Sequence, residues 1–374
     1  MPEPRSTRPA RHPAALVNVL PTPPPGTILA DVHAHLARAG APPYRYRQLV
    51  LALQRGAQRF DDVGELPRSL RDELSARFGP TVLPLELVTV RSAPQVEKVL
   101  FETRSGARLE TVLSRYRAGW SSVCVSTQAG CGLGCSFCAT GALGLSRNLS
   151  ADEICAQVVH RRWQSAAAAA PDSVAFMGMG EALANPNVFT ALQLLTTAGY
   201  GGLSPRRITV STVGFAPSLE RLTREHPQVT ITLSVHSPFP AQRAELVPLE
   251  RRFSLAENLA ILDCHVVAVR RKVYLAYLLI AGVNDSDDHL QALVQLARSR
   301  ARPELFHVSV IRYNDASGAD PSHRAPSSER VDDFVSRLRA AGVRATRRQQ
   351  LGASIDAACG QLHARSLLRD RRPS

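Results

Sequence analysis

From Val123 to Arg312 the chain alternates short, continuous apolar runs with amphipathic stretches, and few folds accept that rhythm. The apolar runs are Val123–Thr127, Val174–Met177, Ile208–Ser211, Val229–Val235, Val273–Ile280 and Phe306–Arg312. Between them the spacing predicts helices opened by Ser150-Ala-Asp-Glu153, a capping box, then over 186–198, 218–224, 254–269 and 287–300. A last helix over 328–341 carries Val331, Phe334, Val335 and Leu338 on one face, with Gly342 closing it. Strands that are apolar throughout must be covered on both faces, which means a parallel sheet flanked by helices. Six strand–helix units predict an α/β architecture, an incomplete (β/α)6 barrel open on one side.

The first loop of this array reads Cys131-Gly-Leu-Gly-Cys135-Ser-Phe-Cys138-Ala-Thr-Gly. Three cysteines spaced C-x3-C-x2-C can present three thiolates to one [4Fe–4S] cluster, and Gly132, Gly134 and Gly141 let the backbone curl around it. Three protein ligands leave one iron open to a small molecule. The spacing, with Phe137 before the third cysteine, resembles the radical S-adenosylmethionine (SAM) superfamily. There the open iron takes the amino and carboxylate groups of SAM. The competing reading is a structural zinc knot with Cys124 as fourth ligand, in a non-catalytic RNA-binding protein.

Composition narrows the setting. A chain of 374 residues can bury a barrel-sized core and a smaller domain. Seven cysteines, an odd number, point to metal or redox chemistry rather than a secreted disulfide framework. With no apolar membrane span and no signal-peptide core, a cytoplasmic protein is expected. The formal net charge of +13 favours a polyanionic partner, RNA or DNA before a membrane. Arginine supplies nearly all of it, Lys98 and Lys272 being the only lysines.

Residues 1–26 are rich in proline and arginine without periodicity and read as a disordered basic arm. A helical accessory domain is predicted over 27–86, within which His33 and His35 are read as surface histidines on a helix. Strands at 87–90, 96–102 and 108–113, with Ser105-Gly106 turning between the last two, form an antiparallel extension opening the main domain (87–365). Residues 366–374 are a basic tail, and Ala166–Ala170 a low-complexity connector.

Chemistry in such barrels gathers where strands end. Four stretches fall there: Met177-Gly-Met-Gly180-Glu181, Ser211-Thr-Val-Gly214, Ser234-Val235-His236 and Ile311-Arg-Tyr-Asn314. Glycines allow close approach to a ligand, and Glu181 can accept from an ammonium group. Cys124 lies in the first barrel strand and faces the mouth only in one strand register; Cys359 lies far away in sequence. Cys155 and Cys264 fall in amphipathic helices and are read as small core residues.

Taken with Gln128-Ala-Gly-Cys131, Arg147-Asn148-Leu149, Gly282-Val-Asn-Asp285-Ser286 and Ile355-Asp-Ala-Ala-Cys-Gly-Gln, these words resemble the RlmN/Cfr family of radical SAM RNA methyltransferases over about residues 85–365. Cys138-Ala-Thr-Gly-Ala-Leu-Gly-Leu, Glu181-Ala-Leu-Ala-Asn185, His236-Ser-Pro and Arg312-Tyr-Asn314 stand closer to the Cfr branch, while Asp315 replaces the family's usual proline. The resemblance implies methylation of a 23S rRNA adenosine, at carbon 8 for Cfr or carbon 2 for RlmN, with transfer RNA a further possible substrate. It also implies a [4Fe–4S] cluster on Cys131, Cys135 and Cys138. SAM contacts would fall on Gly180, Glu181, Ser211, Ser234, Val235, His236 and Asn314. By the same resemblance Cys359 takes a methyl group as a thiolate, and a 5′-deoxyadenosyl radical then activates that methyl for addition to the base. Glu110 accepts the ring proton, and Cys124 attacks the Cys359 sulfur, forming a transient disulfide and releasing the product. An electron donor such as flavodoxin or ferredoxin and a monomeric state are expected.

Overall fold

The computed structural model describes residues 20–163, 171–358 and 360–362. Cys359, the 166–170 connector, the 366–374 tail and most of the expected N-terminal arm, residues 1–19, lie outside the described residues.

The chain divides into two compact units, one of residues 1–82 with 192–203 and one of residues 83–191 with 204–374. The first holds helices α1 (Ile28–Arg38), α2 (Pro43–Gln54) and α3 (Arg68–Phe78). Thr27 caps α1 by accepting the Ala30 N–H, at 3.1 Å. Val32, Leu36, Leu49, Leu53 and Leu74 form its buried core. The sequence put this domain's end at residue 86 and missed its second segment. Tyr200 joins the unit by pairing its hydroxyl with that of Tyr46, 3.1 Å away, a contact between residues 154 apart that no local pattern announces. His33 and His35 are half-buried rather than surface residues. His33 stands edge-on to Tyr46 and His35 bonds Glu73 at 2.7 Å, so both are packing residues of the helical unit.

The second unit is built on β1 (Leu85–Ala93), β2 (Val96–Thr103), β3 (Arg108–Arg115) and β4 (Ser121–Val125), followed by β5 (Gln128–Cys131), α4 (Ala139–Ala142) and β6 (Gly144–Asn148). Then come α5 (Ala151–Trp163), β7 (Ser173–Phe176), α6 (Asn187–Thr196), β8 (Ile208–Thr212), α7 (Ala216–Glu225) and β9 (Thr230–Ser234). The array ends with α8 (Pro240–Leu246), α9 (Leu255–Val269), β10 (Val273–Leu279), α10 (Asp287–Arg298), β11 (Phe306–Arg312), α11 (Ser328–Ala340) and β12 (Ala345–Arg347).

Ten strands form one sheet in the order β1-β2-β3-β4-β7-β8-β9-β10-β11-β12 among the described residues. β1 to β4 pair antiparallel, and every pairing from β4 to β12 is parallel. This is the predicted incomplete barrel with its antiparallel extension. Side chains alternate across it: Val123, Val174, Val210, Ile231, Leu275 and Val308 are buried against the helices. Several elements escaped the sequence reading, the short α4 among them. The β5–β6 ribbon braces the cysteine loop, α8 contains a charged pair that reads as solvent-facing, and β12 is too short to show a period. Among the described residues no helix is long and apolar enough to cross a membrane.

Candidate active site

The loop from β5 to α4 carries Cys131, Cys135 and Cys138 into one cavity at the C-terminal ends of the parallel strands. The backbone turns there at Gly134 (φ +65°), and the Cys138 N–H bonds the Cys135 carbonyl at 3.1 Å. Cys135 and Cys138 also rest on an apolar floor that includes Phe137, Leu278 and Ile311. Burial pushes the Cys131 thiol up to about 11, with the neighbouring Cys138 and Glu181 adding to the shift. Burial and the two sister thiols raise Cys135 as well, with Arg243 opposing the rise. Cys131 and Cys135, crowded together with Cys138, resist ionisation, which marks a site wanting positive charge of the kind a metal centre supplies. Among the described residues no three His, Cys, Asp or Glu groups converge on a single ion. A four-iron cluster meets each thiolate at a different iron and needs no such convergence.

The same cavity, about 170 Å³, is lined by Gly180, Glu181, Ser211, Ser234, His236 and Asn314, each from a different position along the strand-end rim. Gly180 has φ +98°, and a Cβ there would stand 2.5 Å from the Gln128 side chain, so glycine alone fits. Gly178 would likewise collide with the Val125 carbonyl at 2.7 Å. The tight turn places Glu181, whose carboxylate accepts the Leu183 N–H at 3.0 Å and the Val213 N–H at 2.9 Å. Burial raises its pKa, and these bonds with Thr212 oppose the rise. Val235 is not on the cavity. Its side chain is fully buried and its carbonyl accepts from Arg243 Nε at 2.9 Å.

His236 is held in the left-handed region (φ +60°), a strained conformation for this residue type. Asn284, fully buried, sustains it by donating Nδ2 to the His236 carbonyl at 2.6 Å. His236 Nδ1 accepts the Leu278 N–H at 3.1 Å, which leaves the ring proton on Nε2. Burial, reinforced by Arg243, pushes the imidazole down to about 3, so it stays neutral and offers a donor.

Cys124 lies in β4 in register with Val112 of β3 and Ala175 of β7, and all three line an adjoining cavity. The register is therefore the one that turns this thiol inward. Ala357 and Ala358 line the same cavity. The chain just beyond residue 359 is fastened to the cysteine loop: the Ala139 N–H donates to the Gly360 carbonyl at 2.9 Å, and Thr140 Oγ1 to the Leu362 carbonyl at 2.6 Å. Glu110 sits two residues before Val112 on the same face of β3 and is paired with Lys98 at 3.1 Å.

Sequence reasoning passed over two groups here. Lys98 is buried and also donates to the Asp356 carbonyl at 3.0 Å, tying β2 to the segment that leads to residue 359. Arg243, with no exposed surface, bonds the Ser234 carbonyl at 2.8 Å and the Val213 carbonyl at 2.6 Å and pairs with Glu250. It clamps two strand ends of the rim. A charged residue in a short amphipathic helix carries no local sign of such burial. Neither cysteine expected in the core is fully buried: Cys155 is half-buried, its thiol on the Ala191 carbonyl, and Cys264 is exposed, because its position on α9 faces outward.

Residues 125–297 match the radical SAM superfamily. The chain is 44% identical over 339 residues to the ribosomal RNA large subunit methyltransferase Cfr of Staphylococcus aureus, covering 90% of this chain and 96% of that protein. The Cfr of Bacillus velezensis is 44% identical over 324 residues, 86% of this chain and 92% of the relative. A crystal structure of a radical SAM methyltransferase from Sphaerobacter thermophilus superposes with a TM-score of 0.83 at 40% identity, covering 89% of this chain and 97% of that one.

Proposed function

The chain belongs to the Cfr family of radical SAM ribosomal RNA methyltransferases, and on that premise we propose that it methylates carbon 8 of a 23S rRNA adenosine through a methyl-cysteine intermediate. It is an enzyme, and its cofactors are a [4Fe–4S] cluster and SAM. Cys131, Cys135 and Cys138 would hold the cluster, and the soft donor set and the open side of the cavity fit it. Gly180, Glu181, Ser211, Ser234, His236 and Asn314 would surround SAM, whereas Val235 lies off the cavity with its carbonyl held by Arg243. When bound, the cofactors supply the methyl group and the radical needed because neither carbon 2 nor carbon 8 of adenine is nucleophilic.

The residues of the chain do the rest. Cys359 carries the one-carbon unit as a thioether and becomes joined to the base. Glu110 takes the proton from the ring carbon. Cys124 then attacks the Cys359 sulfur, the carbon–sulfur bond breaks, and a disulfide remains for reduction. The observation that carries this reading is the fastening of residues 360 and 362 to the cysteine loop, with Ala358 beside Cys124. Residues on both sides of 359 thus stand at the two cavities. The target base is unstacked from folded RNA and presented to this mouth, and the net charge of +13 favours the phosphates around it. A flavodoxin- or ferredoxin-like donor supplies electrons, and the enzyme acts as a cytoplasmic monomer.

Nucleoside analysis of 23S rRNA after reaction with anaerobically purified enzyme decides the position. 8-Methyladenosine is expected; 2-methyladenosine would assign the RlmN specificity instead, and a colourless, zinc-loaded protein without product would leave only RNA binding.

A further inference from the structure

The interior of this barrel does not end at the cysteine cavity. Met177 and Arg348 line that cavity, the one holding Cys124, and a third of about 890 Å³ towards the N-terminal ends of the strands. Parallel strands rise ~3.3 Å per residue, so Thr230 in this lower chamber lies roughly 13 Å from Ser234 at the rim. That is too far for groups around Thr230 to touch the reacting atoms.

The chamber's lining is unlike a barrel core. Interior layers are ordinarily filled by Val, Ile and Leu. Here the strands offer Ser122, Ser173, Thr209, Thr230, Ser309 and Thr346. Small hydroxyl side chains on six strands leave the space open, forfeiting packing that a branched apolar residue would supply. Its charge is one-sided: Arg117, Arg271, Lys272 and Arg348 line it, and no carboxylate does. Among the described residues Arg271 Nε is buried without a hydrogen-bond partner. At the chamber's edge, in the turn from β3 to β4, Tyr116 and Trp120 are stacked with ring centroids 3.8 Å apart and planes within 12°. The turn is closed by the Tyr116 N–H on the Trp120 carbonyl at 2.8 Å, and Trp120 remains 41% exposed. The pair is a preset flat apolar surface beside Arg117, Arg271 and Lys272.

We propose that this lower chamber is a subsite for the ribose-phosphate strand of the RNA substrate next to the target adenosine, with a neighbouring unpaired base stacked on Trp120. Phosphates meet Arg271, Lys272 and Arg117, and the serine and threonine hydroxyls exchange hydrogen bonds with ribose 2′-hydroxyls. A base flipped from folded RNA leaves its neighbours unstacked, and a chamber of this kind holds them while the target lies at the rim. The inference rests on the RNA methyltransferase reading above.

Binding of the 23S rRNA fragment that contains the target adenosine tests it, using holoenzyme and a salt series. Trp120→Ala is expected to weaken binding roughly 5- to 150-fold, the worth of one base–aromatic stack, while Trp120→Phe keeps most of the affinity. The double variant Arg271→Ala/Lys272→Ala is expected to lower the slope of log K against log salt by about 1.4, two phosphate contacts on a single strand. Reductive cleavage of SAM without RNA stays at the wild-type rate in all three and reports intact fold and cofactors. Unchanged affinity in Trp120→Ala together with an unchanged salt slope in the double variant overturns the subsite. A wild-type enzyme that leaves this RNA unmethylated overturns the functional reading itself, so the two failures are distinguishable.

Discussion

Lys98 and Glu110 form the most exacting test of how the antiparallel extension serves the site. Their side chains are 7% and 6% exposed and 3.1 Å apart, so each charge depends on the other. Removing one partner of a buried pair leaves an uncompensated charge and costs ~3–5 kcal/mol, whereas removing both is often close to neutral. Lys98→Met and Glu110→Gln should therefore each destabilise the protein by about that amount, and the double variant should recover most of the loss. The interaction energy of the cycle is then at least ~2 kcal/mol. Anaerobic urea unfolding of the holoenzyme and its three variants measures this, with midpoints compared at constant m-value. Lys98 also holds the Asp356 carbonyl, so Lys98→Met should slow methyl transfer even where the fold is retained. Additive losses, with no recovery in the double variant, would refute the claim that the two residues work as one buried pair.

Further outcomes follow from other parts of the rim. Cys359→Ala should abolish methyl transfer, while Cys124→Ala should accumulate protein covalently joined to RNA, visible as a nuclease-sensitive shift on denaturing gels. Arg243→Met strands Glu250 and releases the Ser234 and Val213 carbonyls, and a loss of ~3–5 kcal/mol is expected by the same unfolding assay. His236 refuses a proton until about pH 3, whereas an unfolded chain accepts one near 6.5. Stability should consequently fall as pH drops through that window, by ~1.4 kcal/mol per unit, with no effect of this group above 6.5. His236→Asn keeps an acceptor for the Leu278 N–H and tolerates φ +60°; its acid-limb slope should be shallower by one proton.

The clamps around the rim also show why a site of this kind needs structure beyond its ligands. His236, Glu181 and the strand ends at 213 and 234 are each held by a buried polar partner: Asn284, the Leu183 and Val213 amides, and Arg243. Groups fixed in this way do not have to be ordered when cofactor and substrate arrive, which lowers the entropic cost of assembling the reactive geometry.

Local chemistry was legible in the amino-acid order. Six apolar-rich runs became six parallel strands because the face of each strand that packs against the helices must stay apolar along its length, and that pattern survives in one dimension. The cysteine loop was legible for the same reason, since its spacing is set within eight residues and needs no distant partner. What no local pattern could hold was decided by register and by long-range packing. The β3–β4–β7 alignment turns Cys124 inward, and a slip of one residue would have turned it out. Lys98 meets the Asp356 carbonyl across 258 residues, and Arg243 is buried although its helix reads as solvated. A buried charge looks like a surface charge until its partner is found, and only the folded chain brings the two together.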